Sequence, residues 1–173
     1  MALLRRLYGR LRLKVNETKS AVASVSGRKF LGYSLWVAAG GVVKRKVAAK
    51  PLLAFKHRIR ELTRRSGGRS MPEVVERLRS YVHGWKAYFR LAQTPRVWLE
   101  LERWLRHRLR AIQLKQWRRG TTIYRELRAL GAADDVARQV AANSRCWWRN
   151  SDRLLKSVLT IAYFDRLGVP RLS

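Results

Sequence analysis

Three stretches of the sequence carry basic side chains at helical spacing. Lys56, Arg60 and Arg64 recur at i, i+4 and i+8; Arg79, His83, Lys86 and Arg90 follow in steps of three or four; Arg103, Arg106 and Arg110 repeat the pattern. Lys115, Arg118 and Arg119 surround Trp117, and Arg149 follows Trp148. Steps of three and four place each set on one helix face. Guanidinium forks match phosphate oxygens, and indole rings stack on unpaired bases. These residue types suit recognition of a phosphate backbone rather than bond making. A basic stripe on one helix is more often a solvated face. Here three occur in succession with hardly an acid between them, whereas a solvated face mixes signs to use i, i+4 pairs. Trp85, Trp98 and Trp104 lie on or near apolar stripes and read as core. For Trp148, packing against the last helix and contact with a base both remain open.

The charge balance agrees. Thirty-nine Lys and Arg against 11 Asp and Glu give a formal net charge of +28 over 173 residues. On a compact body such charge favours a polyanion, and nucleic acid first, because neutralising phosphates releases counterions. A hydrophobic content of 47% with seven Trp excludes a disordered basic tail. Glu100 and Glu102 lie two apart and face different sides of a helix; Asp134 and Asp135 read as a helix start. The three His are isolated from Cys146, so zinc spacing is absent; no catalytic residue, metal or cofactor is expected. No apolar run approaches the roughly 18 residues of a membrane span, and MALLRRLYGRLRLK lacks the apolar core of a signal peptide. With a single cysteine this reads as a cytoplasmic chain without a membrane partner.

The elements that must hold these stripes are mainly α-helical, preceded by a small β element. Residues 2–13 show leucines and arginines at helical spacing, and VNETKS supplies a turn. KFLGYSLWV and VVKRKV read as strands joined by AAGG. Pro51 opens a helix with Leu52, Phe55, Ile59 and Leu62 inward. Ser70 and Glu73 form a capping box for the next, whose apolar stripe is Val74, Leu78, Tyr81, Trp85 and Phe89. Within it Gly84 costs about 1 kcal/mol relative to alanine. Thr94 and Pro95 start a helix with Trp98, Leu101, Leu105, Leu109 and Ile112 inward. Short helices are predicted over residues 122–130 and 134–143, then SRCWWRNS as a loop. Ser151 is predicted to cap a last helix carrying Leu154, Leu155, Val158, Ile161 and Ala162.

LRLKVNETKSAV and RKFLGY resemble the closing motifs of the reverse transcriptase palm in group II intron-encoded proteins. IRELTRRSGGRSMPEVVERLRSYVHGWKAYFRLAQTP is similar to their maturase-specific region, most tellingly in GWxxYF (Gly84, Trp85, Tyr88, Phe89). RWLRHRLRAIQLKQWRRGTTIYRELRALG and IAYFDRLGVPRL continue the likeness, which runs in order from Leu11 to Leu172. The resemblance implies a palm remnant of helix plus β-hairpin over 1–48, a thumb/maturase-specific helical domain over 49–119, and a C-terminal helical part of the maturase region over 120–173. It implies that Gly84 permits close helix–helix approach, with Trp85, Tyr88 and Phe89 as structural residues, and that the basic faces lie along group II intron RNA or a template–primer duplex. Asn16 and Lys19 match the family's N-x-x-K-[ST] motif near its polymerase site. The Tyr/Phe-Ala-Asp-Asp motif of that site is missing, and so is a Cys/His-rich endonuclease domain. The expected function is therefore an RNA-binding fragment of a maturase that assists splicing and folding and is not an enzyme on its own. Two alternatives stand beside it: the thumb portion of a split RNA-directed DNA polymerase working with a separate palm-and-fingers chain, and a non-functional truncated remnant.

Overall fold

A computed structural model describes residues 2–16 and 24–172, and it is mainly helical with one small antiparallel sheet, as the periodicity predicts. Helix α1 (Ala2–Arg10) buries none of its residues. The sheet runs β1 (Lys29–Phe30), β2 (Tyr33–Val37), β3 (Val43–Val47) in spatial order. KFLGYSLWV is thus two strands rather than the one predicted. Leu31 and Gly32 have φ of 47° and 80°, the pattern of a two-residue I′ hairpin turn, and Phe30 pairs with Tyr33 across it. Leucine is an unusual residue for such a turn, so the sequence carries only a weak signal for it. The predicted AAGG connection is present: Gly40 and Gly41 take φ of 79° and 76°, and Val37 pairs with Val43.

Helix α2 (Ala49–Leu62) has Pro51 in its first turn and buries Phe55, Ile59 and Leu62. Helix α3 (Met71–Tyr88) begins at the predicted capping box, where the Ser70 N–H donates to the Glu73 carboxylate at 2.7 Å. That backbone hydrogen bond is the largest cause holding the Glu73 carboxyl below its usual range. The end of α3 anchors the sheet. Tyr33 donates its hydroxyl hydrogen to the Tyr88 carbonyl at 2.6 Å, and Tyr88 donates to the Leu31 carbonyl at 3.1 Å. The Gln93 N–H donates to the Arg45 carbonyl at 2.8 Å. Trp85 stands 4.3 Å from Phe55, 4.8 Å from Phe89 and 5.2 Å from Trp98 between ring centres, joining α2, α3 and the next helix in one aromatic cluster.

Helix α4 (Pro95–Trp117) is the central element. Thr94 does not cap it as predicted: its side chain makes no capping bond, its hydroxyl is buried without a partner, and the Val97 N–H bonds the Thr94 carbonyl instead. The helix buries its predicted apolar stripe and also Glu102, Arg106, Arg110 and Gln113, because a second layer covers its other side. Helices α5 (Gly120–Ala129) and α6 (Asp134–Ala142) form a hairpin. SRCWWRNS, predicted as a loop, is largely helix α7 (Trp147–Arg153), with Ser151 buried inside it rather than capping. The predicted last helix is broken: residues 154–159 turn, and α8 (Ile161–Arg166) starts from Thr160, whose hydroxyl accepts the Tyr163 N–H. Leu155, Leu159, Phe164, Val169 and Leu172 are buried, whereas Ile161 and Ala162 are exposed. Burial here follows contact with the body of the protein, not one helical period. The buried cluster runs from Val47 to Leu172.

Gly84 does not mediate close helix approach. It is exposed, and a Cβ built there would meet nothing within 4 Å. The close approach is at Gly120, where a Cβ would stand 2.8 Å from the Ala141 carbonyl oxygen of α6. Gly84→Ala is therefore expected to raise stability by about 0.5–1 kcal/mol through helix propensity. Gly120→Ala should lower it by about 1–3 kcal/mol by overpacking. Denaturant melts of the two variants check this, and the opposite order would show both glycines to be misassigned.

Candidate nucleic-acid interface

The end of α2 and the loop after it carry Arg60, Arg64, Arg65 and Arg69. Thr63 closes this end: buried, it donates to the Ile59 carbonyl and accepts from Arg108 Nε of α4 at 2.6 Å. Arg108 also donates to the Thr63 carbonyl at 3.3 Å, which draws a fifth guanidinium into the group. One turn earlier on α4, the Trp104 ring has the guanidiniums of Arg60 and Arg108 each 5.5 Å from its centre. Arg65 lies 3.4 Å above the Trp147 ring. The neighbouring Trp148 stacks on His107 at 3.8 Å, and His107 Nε2 meets the Trp148 carbonyl at 2.9 Å. A carbonyl only accepts, so Nε2 is the donor, and this bond pins α7 to α4.

Among the described residues, none of Arg60, Arg64, Arg65, Arg69 and Arg108 is ion-paired with a carboxylate. Glu61, the nearest acid in sequence, is engaged by Arg58 at 2.8 Å and His57 at 3.3 Å, and its hydrogen bond with Arg58 is the largest cause lowering its carboxyl pKa. Burial, then repulsion from Arg60 and Arg65, pushes the Arg108 guanidinium below its ordinary value; burial does the same to Arg65. Arginine keeps its proton in proteins, so the cost is held mainly as lost hydration and, at Arg108, also as repulsion from Arg60 and Arg65. An anion placed among these groups relieves that repulsion, and the indoles beneath them offer stacking surface.

Two predicted site residues are corrected. Arg106 and Arg110, expected on an outward face, are 2% and 6% exposed. Arg106 donates to Glu102 at 3.1 Å and to Asp165 at 3.0 Å, and Asp165 also pairs with Arg171. The Leu172 N–H donates to Glu102 at 3.3 Å, and Arg110 Nε donates to the Leu159 carbonyl at 2.8 Å. Arg106 and Arg110 of the predicted α4 stripe therefore seat the C-terminal segment, while Arg103 stays exposed. Arg171 is the largest cause holding the Asp165 carboxyl below its usual range, while burial lowers Arg110.

The remaining predicted residues spread around the body. Arg79 donates to the Gly168 carbonyl at 3.3 Å and Lys86 to the Arg171 carbonyl at 3.2 Å, so part of the α3 stripe also meets the C-terminal segment. His83 and Arg90 are exposed on and just beyond α3, Lys56 is half-buried on α2, and Arg103 is exposed on α4. Lys115, Arg118 and Arg119 are exposed at the end of α4, with Trp117 half-buried beside them. Arg149 is exposed on α7, and Asn16 is exposed; Lys19 lies outside the described residues. The structure thus brings together Arg60 and Arg64 with Trp147, and adds Arg65, Arg69, Arg108, Trp104 and His107, to which the sequence assigns no site role. One signal was present: Trp104 and Arg108 stand four apart on one helix. The contacts from α2 and α7 have no such signature.

Among the described residues, no three His, Cys, Asp or Glu side chains come together as a metal-holding group, and no helix is long and apolar enough to cross a membrane. Residues 52–131 match the family model of the group II intron maturase-specific domain. That span covers most of α2, all of α3, α4 and α5, and the arginine cluster, while α7 lies beyond it. Comparison with curated proteins gave no match.

Proposed function

We propose that this chain, which carries a group II intron maturase-specific domain over residues 52–131, binds intron RNA and assists its splicing without a polymerase site of its own. The observation that carries the reading is the cluster of arginines that, among the described residues, have no carboxylate partner, two of them set against the Trp104 indole inside that domain. Its role is electrostatic. Folding an RNA brings phosphates together, and a rigid basic surface lowers that cost through counterion release. The matched domain is maturase-specific rather than a polymerase catalytic region, which supports leaving the splicing chemistry to the RNA. The reading includes residues 1–48 as a remnant of a palm.

The test is titration of a group II intron RNA with the chain and with an Arg64→Gln, Arg103→Gln double variant. Both side chains are exposed, so the melt should stay within about 0.5 kcal/mol per substitution of the parent. The salt slope should become shallower by about two units if both contact phosphate. Failure of the parent to bind the RNA would overturn the proposal.

A second reading, a thumb that docks on a separate palm-and-fingers chain, is favoured by the apolar surface near the sheet. Phe30, Leu31, Val42 and Val43 are all exposed there, and the leucines of α1 are unburied. It requires template-directed DNA synthesis only when the two chains are mixed.

A further inference from the structure

Trp148 is 43% exposed although one side of its ring is covered by His107, and its backbone is held by His107 and by the Ser151 hydroxyl at 2.7 Å. An indole fixed in place costs little further entropy when another ring stacks on it. The same α4–α7 contact brings Arg65 over Trp147, and α4 also holds Arg108 at the end of α2; among the described residues neither guanidinium is ion-paired with a carboxylate. Paired RNA keeps its base faces inside the stack and offers mainly phosphates and 2′-hydroxyls; an unpaired nucleotide offers a base face and a phosphate together.

We propose that the α4–α7 contact is a subsite for an unpaired stretch of RNA, with a base stacked on Trp148 and adjoining phosphates held by Arg60, Arg65 and Arg108. This rests on the RNA-binding reading above and specifies which form of RNA this face takes. The recognition is tolerant of sequence, because every base has a π face. Trp148 supplies the preference for unpaired RNA, and the arginines supply affinity that falls with salt.

The probes are an oligouridine, which stays unstructured, and a fully paired blunt-ended RNA duplex of equal phosphate count, each titrated with the whole chain. Trp148→Ala is expected to weaken oligouridine binding by about 5- to 150-fold, the range of one base–aromatic stack, and to leave duplex binding unchanged. Trp148→Phe should retain most of the parent's affinity, and Trp148→Leu, which keeps an apolar body on His107 but no π face, should behave like the alanine variant. Arg108→Gln should weaken the oligouridine and flatten its salt slope. Equal loss on both probes, or a leucine variant that binds oligouridine as the parent does, overturns the subsite. Salt-dependent duplex binding with an oligouridine indifferent to residue 148 sinks this inference alone. If neither RNA binds the parent, the RNA-binding reading falls with it.

Discussion

Affinity for structured RNA is expected to fall about 10³- to 10⁵-fold between 50 and 200 mM salt, the loss that accompanies roughly six to ten phosphate contacts. The formal charge of +28 makes such a number of contacts attainable, but total charge alone does not decide it. What decides it is how many cations stand clear of acids. Arg106 and Arg171 are committed to carboxylates, and Arg110 to a carbonyl. The group formed by Arg60, Arg64, Arg65, Arg69 and Arg108, with Arg103, Lys115, Arg118, Arg119 and Arg149 elsewhere, still offers about ten. Equilibrium titrations across that salt range give the slope directly. A flat response would mean that the RNA is held by contacts other than phosphate neutralisation.

Arg106→Met should destabilise the fold by about 3–5 kcal/mol, because removing one member of a buried ion pair leaves the other as an uncompensated charge. Arg106 is almost wholly enclosed, and Glu102, 6% exposed, would lose the guanidinium four residues away. For a chain of this size that corresponds to a fall in melting temperature of about 6–20 °C. A Glu102→Met, Arg106→Met double variant should recover part of the loss, since an apolar replacement of a buried pair is often neutral, but here it also takes a partner from the Leu172 N–H and from Asp165. Thermal melts of parent, single and double variants complete the comparison. A single variant that melts with the parent would remove the pair from any role in holding the C-terminal segment.

Most helices were legible in the sequence, and the reason is visible in α2 and α3. Each has one apolar stripe at steps of three or four and a clear start, Pro51 in one and Ser70 with Glu73 in the other. Where two layers cover a helix, the rule fails. On α4, Arg106 and Arg110 keep the spacing of a solvent-facing stripe, and only Glu102, one turn before Arg106, betrays that the stripe is internal. The same limit hid the candidate site. Arg65 lies in the loop after α2 and Trp147 on α7, far apart in the chain, and nothing local in either stretch announces the 3.4 Å contact between them. Trp104 reads as core because it sits near an apolar stripe; its two flanking guanidiniums come from the same helix and from α2.

The chain of contacts from Glu102 through Arg106 to Asp165 and Arg171 also constrains how this sequence can change over generations. Any one of the inner members, altered alone, strands a charge inside the protein, and native folds hold only about 5–15 kcal/mol in reserve. An apolar version of the same seat is accessible only when Glu102 and Arg106 change together. Drift at these two positions is therefore expected to be coupled, because a change at either one alone costs stability that a change at both partly avoids.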